Sequence, residues 1–146
     1  MHNKSLFWWR WLVAVNLGVL AFGISMVLLP GLTQKLFNLL MFSSSEGNPA
    51  FGQAAVAYIT FLSAVLGATM FGWGMALLYA LLGPFRRGEA EGWRLVAVSL
   101  VAWFIPDTAY SLWSGFWQNA VLNLVFAIAF AIPLAATYKT FNNAKA

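Results

Sequence analysis

Residues 95–115 read LVAVSLVAWFIPDTAYSLWSG. An α-helix needs about 20 predominantly apolar residues to cross the hydrocarbon core of a bilayer, and this run is long enough. Near its far end it carries Pro106, Asp107, Thr108, Tyr110 and Ser111. Asp107 is the sole acidic residue in any strongly apolar segment of the chain. A carboxylate at that depth costs roughly 2.5–3.5 kcal/mol on insertion scales, so it is expected to face protein or water rather than lipid.

The sequence around this run has the same character. Of 146 residues, 62% are hydrophobic and only 8% charged, and the mean hydropathy is +0.77. Soluble domains carry about 25% charged residues. The expected fold class is therefore an all-α membrane protein, a four-transmembrane-helix bundle forming a single membrane domain over 1–146. The spans are predicted at about 11–29, 54–82, 95–114 and 119–138. Pro30-Gly31 stops the first span, the charged stretch 83–94 reads as a solvated turn after the second, and a short turn near Ser114-Gly115 follows the third. The first run resembles a signal peptide only superficially, because it is too long and no A-x-A-like cleavage site follows. Pro106 and Pro133, inside the third and fourth spans, are expected to kink them.

Residues 31–42, GLTQKLFNLLMF, are too short to span. At about 100° per residue, Leu32, Leu36, Leu39 and Leu40 cluster on one side, away from Gln34, Lys35 and Asn38. Two readings fit: an interfacial helix over about 32–42 lying on the outer membrane surface, or a loop helix packed on the end of the bundle. Residues 43–53 form the polar outer loop that follows.

Charge and composition exclude several function classes. The chain has no cysteine, which removes disulfides, thiol redox chemistry, iron–sulfur ligation and thiolate zinc sites. Its single histidine, His2, lies outside any span, so neither an intramembrane His-ligated haem nor a His-based metal centre is expected, and no cofactor is assigned. The net charge of +4 comes from basic residues scattered over loops rather than gathered in one patch, so nucleic acid is not an expected partner. With four spans, Lys4, Arg10, Arg86, Arg87, Arg94, Lys139 and Lys145 share one side, and only Lys35 lies opposite. The positive-inside rule places both termini in the cytoplasm. Trp8, Trp9 and Trp11 beside Lys4 and Arg10 mark an interface on that side. The expected location is an inner membrane, bacterial in type.

Small residues recur at helical spacing. Ala14 and Gly18 lie four apart in the first span. Ala64, Ala68 and Gly72 recur every four residues in the second, with Ser63 and Gly67 beside them and Trp73 and Gly74 extending the pattern. Lipid supplies no hydrophobic drive between helices, so such ridges serve close helix–helix packing.

The polar residues of the last two spans converge. Asp107 lies eight residues before Gly115 and Asn123 eight after it, so both are expected at similar depth, roughly 10–12 Å below the outer interface at a 1.5 Å rise per residue. Trp103, Asp107, Tyr110 and Ser111 share one face of the third helix, and Asn119 and Asn123 one face of the fourth. Tyr58 and Thr60 enter the second span from the same outer side. The candidate ligand-binding set is thus Asp107, Tyr110, Ser111, Asn119, Asn123, Trp103 and Tyr58. Interhelical hydrogen bonding is the competing structural role for the same residues, and it is the favoured role for Asn16.

The layout resembles the small bacterial DoxX-like four-helix membrane proteins. The shared features are a first span ending at Pro30, a short apolar element with Leu36-Phe37, a glycine-rich second span (GATMFGWG, 67–74) and a basic loop before the third span. The resemblance implies the four-helix architecture, and some members are linked to quinone-coupled oxidoreductase complexes.

Two functions are weighed foremost. The first is an accessory or assembly subunit of a membrane complex or homo-oligomer, its partners being the lipid bilayer and other membrane subunits or further copies of itself. The alternative is a binder of a small lipophilic molecule, a quinone, lipid or carotenoid, with its polar head on the Asp107 cluster. An intramembrane enzyme using Asp107 as general acid or base, with Tyr110 as an orienting or acid partner, ranks below both, because the spans hold no second ionisable catalytic group beyond these; no catalytic or metal-ligating residue is assigned.

Overall fold

The computed structural model describes residues 3–44 and 51–142, without the side chains of Asn3, Lys4 and Asn142. His2, most of the 43–53 loop and Lys145, each named above, lie outside the described residues. Every regular element among the described residues is helical: α1 (Asn3–Leu28), α2 (Pro30–Phe42), α3 (Gln53–Ala80), α4 (Ala90–Trp113) and α5 (Trp117–Asn142), with a π-helical turn, Leu81–Phe85, after α3. Four segments are long and apolar enough to cross a membrane: Ser5–Leu28, Gln53–Phe85, Ala90–Trp113 and Trp117–Phe141. These correspond to the four predicted spans, but the helices run further at several ends. Hydropathy marks only the stretch suited to the hydrocarbon core. The extra turns carry Trp8, Trp9 and Arg10 in α1 and Glu91, Trp93 and Arg94 in α4, residues suited to an interface. Glu91 also sits in the first turn of α4, where the helix dipole favours an anion.

The chain divides into two compact units, one of Met1–Leu17 with Met75–Ala146 and one of Gly18–Gly74. In the second unit, glycine decides how closely α1 and α3 approach. A Cβ added at Gly67 would stand 2.5 Å from the Gly23 carbonyl oxygen and from the Met26 Cβ, and one at Gly23 would stand 2.9 Å from the Gly67 oxygen. At Gly74 the neighbour is Leu20, at 2.8 Å. The two backbones meet directly at Gly23 and Gly67, a separation that only glycine permits. Ala14, Gly18, Ala68 and Gly72 turn outward instead.

Helix α2 belongs to this unit. Thr33 is its buried residue, Phe37 stacks near Phe22 with ring centroids 6.0 Å apart, and the Thr60 hydroxyl donates to Gln34 Oε1 at 2.7 Å. Leu32, Leu36, Leu39 and Leu40 are exposed. The leucine row therefore does not pack the helix onto its own unit; Thr33, Gln34 and Phe37 do. The helix ends at Ser43, which takes left-handed geometry (φ 55°) and donates its N–H to the Leu39 carbonyl.

In the first unit, α4 and α5 form an antiparallel hairpin. Ser114 N–H bonds the Tyr110 carbonyl at 2.9 Å, Gly115 follows at φ +84°, and α5 begins two residues later; a positive φ just past the helix end is glycine's usual role. Neither proline ends its helix, as α4 continues through Pro106 and α5 through Pro133. At Pro133 the consequence is visible. Proline has no N–H, so the Ala129 carbonyl four residues back loses its helical donor. The Trp11 indole N–H reaches that oxygen at 3.0 Å. The ladder also breaks at Gly83 (φ −94°, ψ −107°) and Pro84; beside this break the Trp9 indole donates to the Leu81 carbonyl at 2.8 Å, and the Arg86 guanidinium stacks over the same indole at 4.9 Å. Phe85, fully buried, closes on Phe141 with centroids 4.7 Å apart. Gly92 lets the turn lie on α4, because a Cβ there would overlap the Phe85 backbone nitrogen. In the following loop, the hydrogen bonds that Arg87 donates hold the exposed Glu89 carboxyl below its ordinary value.

Replacing Gly67 with alanine is expected to destabilise the protein by about 1–3 kcal/mol, because the obstruction is backbone. Gly18→Ala, where nothing lies within 4 Å, is expected to be neutral or to stabilise by about 0.5–1 kcal/mol. Reversible unfolding in mixed detergent, followed by circular dichroism, checks both.

Candidate functional site

Ser114 and Gly115 reverse the chain, and this brings the polar faces of α4 and α5 together. The Asn119 amide donates to Asp107 Oδ1 at 3.0 Å and to Ser111 Oγ at 2.8 Å. The Ser111 hydroxyl lies 3.2 Å from the same Oδ1 and bonds the Asp107 carbonyl at 2.7 Å. One turn deeper, the Asn123 amide reaches Thr108 Oγ1 at 3.4 Å. Ser111 and Asn123 are buried, while Asp107 and Asn119 are half-buried. The carboxylate thus accepts from the Asn119 amide at Oδ1, and the single Ser111 hydroxyl proton is shared between that oxygen and the Asp107 carbonyl, the carbonyl being nearer. No cation within 4 Å balances it among the described residues.

Of the seven predicted ligand-binding residues, four come together here: Asp107, Ser111, Asn119 and Asn123. Their pairing differs in detail from the depth argument. Asn119, not Asn123, holds the carboxylate, because a one-turn offset across the hairpin puts Asn119 beside both Asp107 and Ser111. Thr108 takes up Asn123 and belongs to the cluster. The other three stand apart. Tyr110 is 65% exposed and packs edge-on against Trp113. Trp103 is half-buried, with its ring near Phe104. Tyr58, 62% exposed, lies in the other unit, and its neighbour Thr60 is committed to Gln34.

The cluster has one ionisable side chain and a chain of neutral donors. It can fix the register of two helices or accept a hydrogen bond. It lacks the second titratable group that proton transfer between side chains requires.

A different kind of site lies toward the other end of the hairpin. Trp93, Ala97, Leu100 and Val101 of α4 and Ala131, Leu134, Ala135 and Tyr138 of α5 line an open groove of about 430 Å³. The Trp93 indole bonds the Leu134 carbonyl at 2.9 Å, and its ring meets Tyr138 edge-on at 5.4 Å. Hydropathy could not flag this groove, because its residues are those of any apolar span. The one available signal was alanine on both helices at matching depth.

Compared with protein-family models, curated proteins and solved structures, the chain finds no match.

A double-mutant cycle measures the clasp. Asn119→Leu alone leaves a carboxylate short of a donor and is expected to cost about 1–3 kcal/mol. In an Asp107→Leu background the same change is expected to cost less, with a coupling of about 0.5–1.5 kcal/mol. Purely additive unfolding free energies would contradict this account.

Proposed function

We propose that this chain is an integral membrane protein that works as an assembly partner, joining a membrane complex or a homo-oligomer through α3. The observation that carries the reading is how α3 divides its small residues. Gly67 and Gly74 are spent on α1, whereas Ala68 and Gly72 are exposed at helical spacing on another face. Only 6% of the most apolar window of α3 is buried, against 33% for α1 and 28% for α5. A second close-approach ridge on the least covered span is what a further helix packs against. The accessory role also accords with what the DoxX-like resemblance implies. Within this reading, Asp107, Ser111 and Asn119 clasp the α4–α5 hairpin.

The outward leucines of α2 support the membrane reading, since an exposed apolar row beside Gln34 and Lys35 suits an interface. Trp9 stacked on Arg86, and Trp93 against Tyr138, bring the start of α1, the 81–89 segment, the start of α4 and the end of α5 to one level. That level gathers Arg10, Arg86, Arg87, Arg94 and Lys139, which supports cytoplasmic termini in a bacterial inner membrane.

The natural chain has no cysteine, so single cysteines report cleanly. In native membranes, oxidation of Ala68→Cys or Gly72→Cys is expected to give a dimer, or an adduct with another subunit. Val98→Cys, exposed on α4, is expected to give none. A monodisperse monomer with no adduct at either ridge position would overturn the assembly reading. For the topology, membrane-impermeant maleimide applied to intact cells is expected to label Ser44→Cys and to spare Arg87→Cys until the membrane is opened; the reverse pattern inverts the orientation.

A further inference from the structure

The groove between α4 and α5 has a floor and two walls, and basic residues follow about a turn beyond one end. Leu100 and Leu134 are buried beneath it, and Ala97, Ala131 and Ala135 hollow it out, because side chains that stop at Cβ leave space beside longer neighbours. Its volume of about 430 Å³ falls within the roughly 300–1,000 Å³ of sites that hold small organic molecules. Trp93 and Tyr138 stand together at one end, the amphipathic pair that membrane interfaces favour. Just beyond them come two cations. Arg94 stands three residues before Ala97, and Lys139 four residues after Ala135, so each lies about one turn from a lining alanine on its own helix. The two helices run antiparallel, so both cations fall at the same end. Both are exposed, and among the described residues neither has a carboxylate within 4 Å; the one ion pair is Arg87 with Glu89. The carboxylate of Glu91, a turn before Arg94, also faces solvent and makes no ion pair.

We infer that this groove is a binding site for an anionic phospholipid, with an acyl chain lying along Ala97, Ala131 and Ala135 and the phosphate held by Arg94 and Lys139. The inference rests on the chain crossing a bilayer. A neutral lipid satisfies the apolar groove alone and leaves two unpaired cations at its mouth. A soluble anion satisfies the cations and leaves the groove empty. An anionic lipid meets both features at once, and basic sites between helices on the cytoplasmic side bind such headgroups. Trp93 has a second part in this arrangement, since its bond to Leu134 fixes the wall against which the chain lies.

The test uses the full-length protein reconstituted into vesicles of dioleoylphosphatidylcholine with dioleoylphosphatidylglycerol as the minor lipid. After gentle detergent release, native mass spectrometry reads which lipid stays bound. Wild type is expected to retain phosphatidylglycerol in clear excess over its share of the vesicle. Each of Arg94→Gln and Lys139→Gln is expected to lower that retention about fivefold, and the pair about thirtyfold, from the worth of one basic residue at an anionic surface. Ala135→Phe fills the groove and is expected to abolish retention with both cations in place. If that variant does not fold, as judged by circular dichroism, the two exposed charge variants decide the matter alone. Retention of both lipids in vesicle proportion, or a double charge variant that behaves as wild type, overturns the site. Alkaline extraction separates the two levels of the claim. A chain that resists extraction yet shows no lipid preference loses the lipid site alone, whereas a chain stripped from the membrane loses both.

Discussion

Along a helix every main-chain carbonyl wants a donor, and this chain breaks its own helical ladder at two places. Pro133 removes the donor for Ala129, and Gly83-Pro84 interrupts the ladder after α3. At Ala129 an indole, Trp11, supplies what is lost, and a second, Trp9, bonds the Leu81 carbonyl beside the other break. Each bond also joins two elements distant in sequence, so one interaction satisfies a polar group and positions α1 against its unit. An unsatisfied buried carbonyl costs more than a made hydrogen bond contributes. These contacts therefore select one arrangement over alternatives more than they add to stability.

Asp107 meets the same demand with side chains. Among the described residues no cation stands beside its carboxylate, and Asn119 and Ser111 share its Oδ1. Such a network ties α4 to α5 close to their turn, where a short connection already makes their approach inexpensive in entropy. Toward the other end of the hairpin the contact is looser. Alanines open a groove there, and Trp93 bridges to Leu134 across it. One hairpin thus has a polar clasp at the turn and an apolar opening at the basic end.

Packing between α1 and α3 follows a separate rule. Here contact depends on fit, and fit at Gly23 and Gly67 brings backbone against backbone. The same helices carry small residues that are not used in this way. Ala68 and Gly72 lie a third of a turn or so from the face that α1 covers, and this division within one helix is the basis for assigning α3 an outward partner.

Much was legible in the chain before any coordinates. Hydropathy is a local property, so the number of long apolar helices, their order and the breaks at Pro30 and Gly115 follow from composition along the sequence. The grouping of basic residues follows from counting. The convergence of Asp107 with Asn119 and Ser111 follows from helical spacing and a tight turn. Facing was not legible. A helix that is apolar all round carries no periodic signal of which side turns inward, so the choice of Gly67 over Gly72 and the exposure of Tyr58 and Tyr110 had no trace in the pattern; the one-sided leucines of α2 did, but their spacing left open what they face. The bonds from Trp9, Trp11 and Trp93 join residues 72, 118 and 41 positions apart, and no local rule reaches that far. Sequence decided which segments are helices and what charge each end bears; tertiary structure decided which atoms meet, because close approach depends on shape on both sides of a contact.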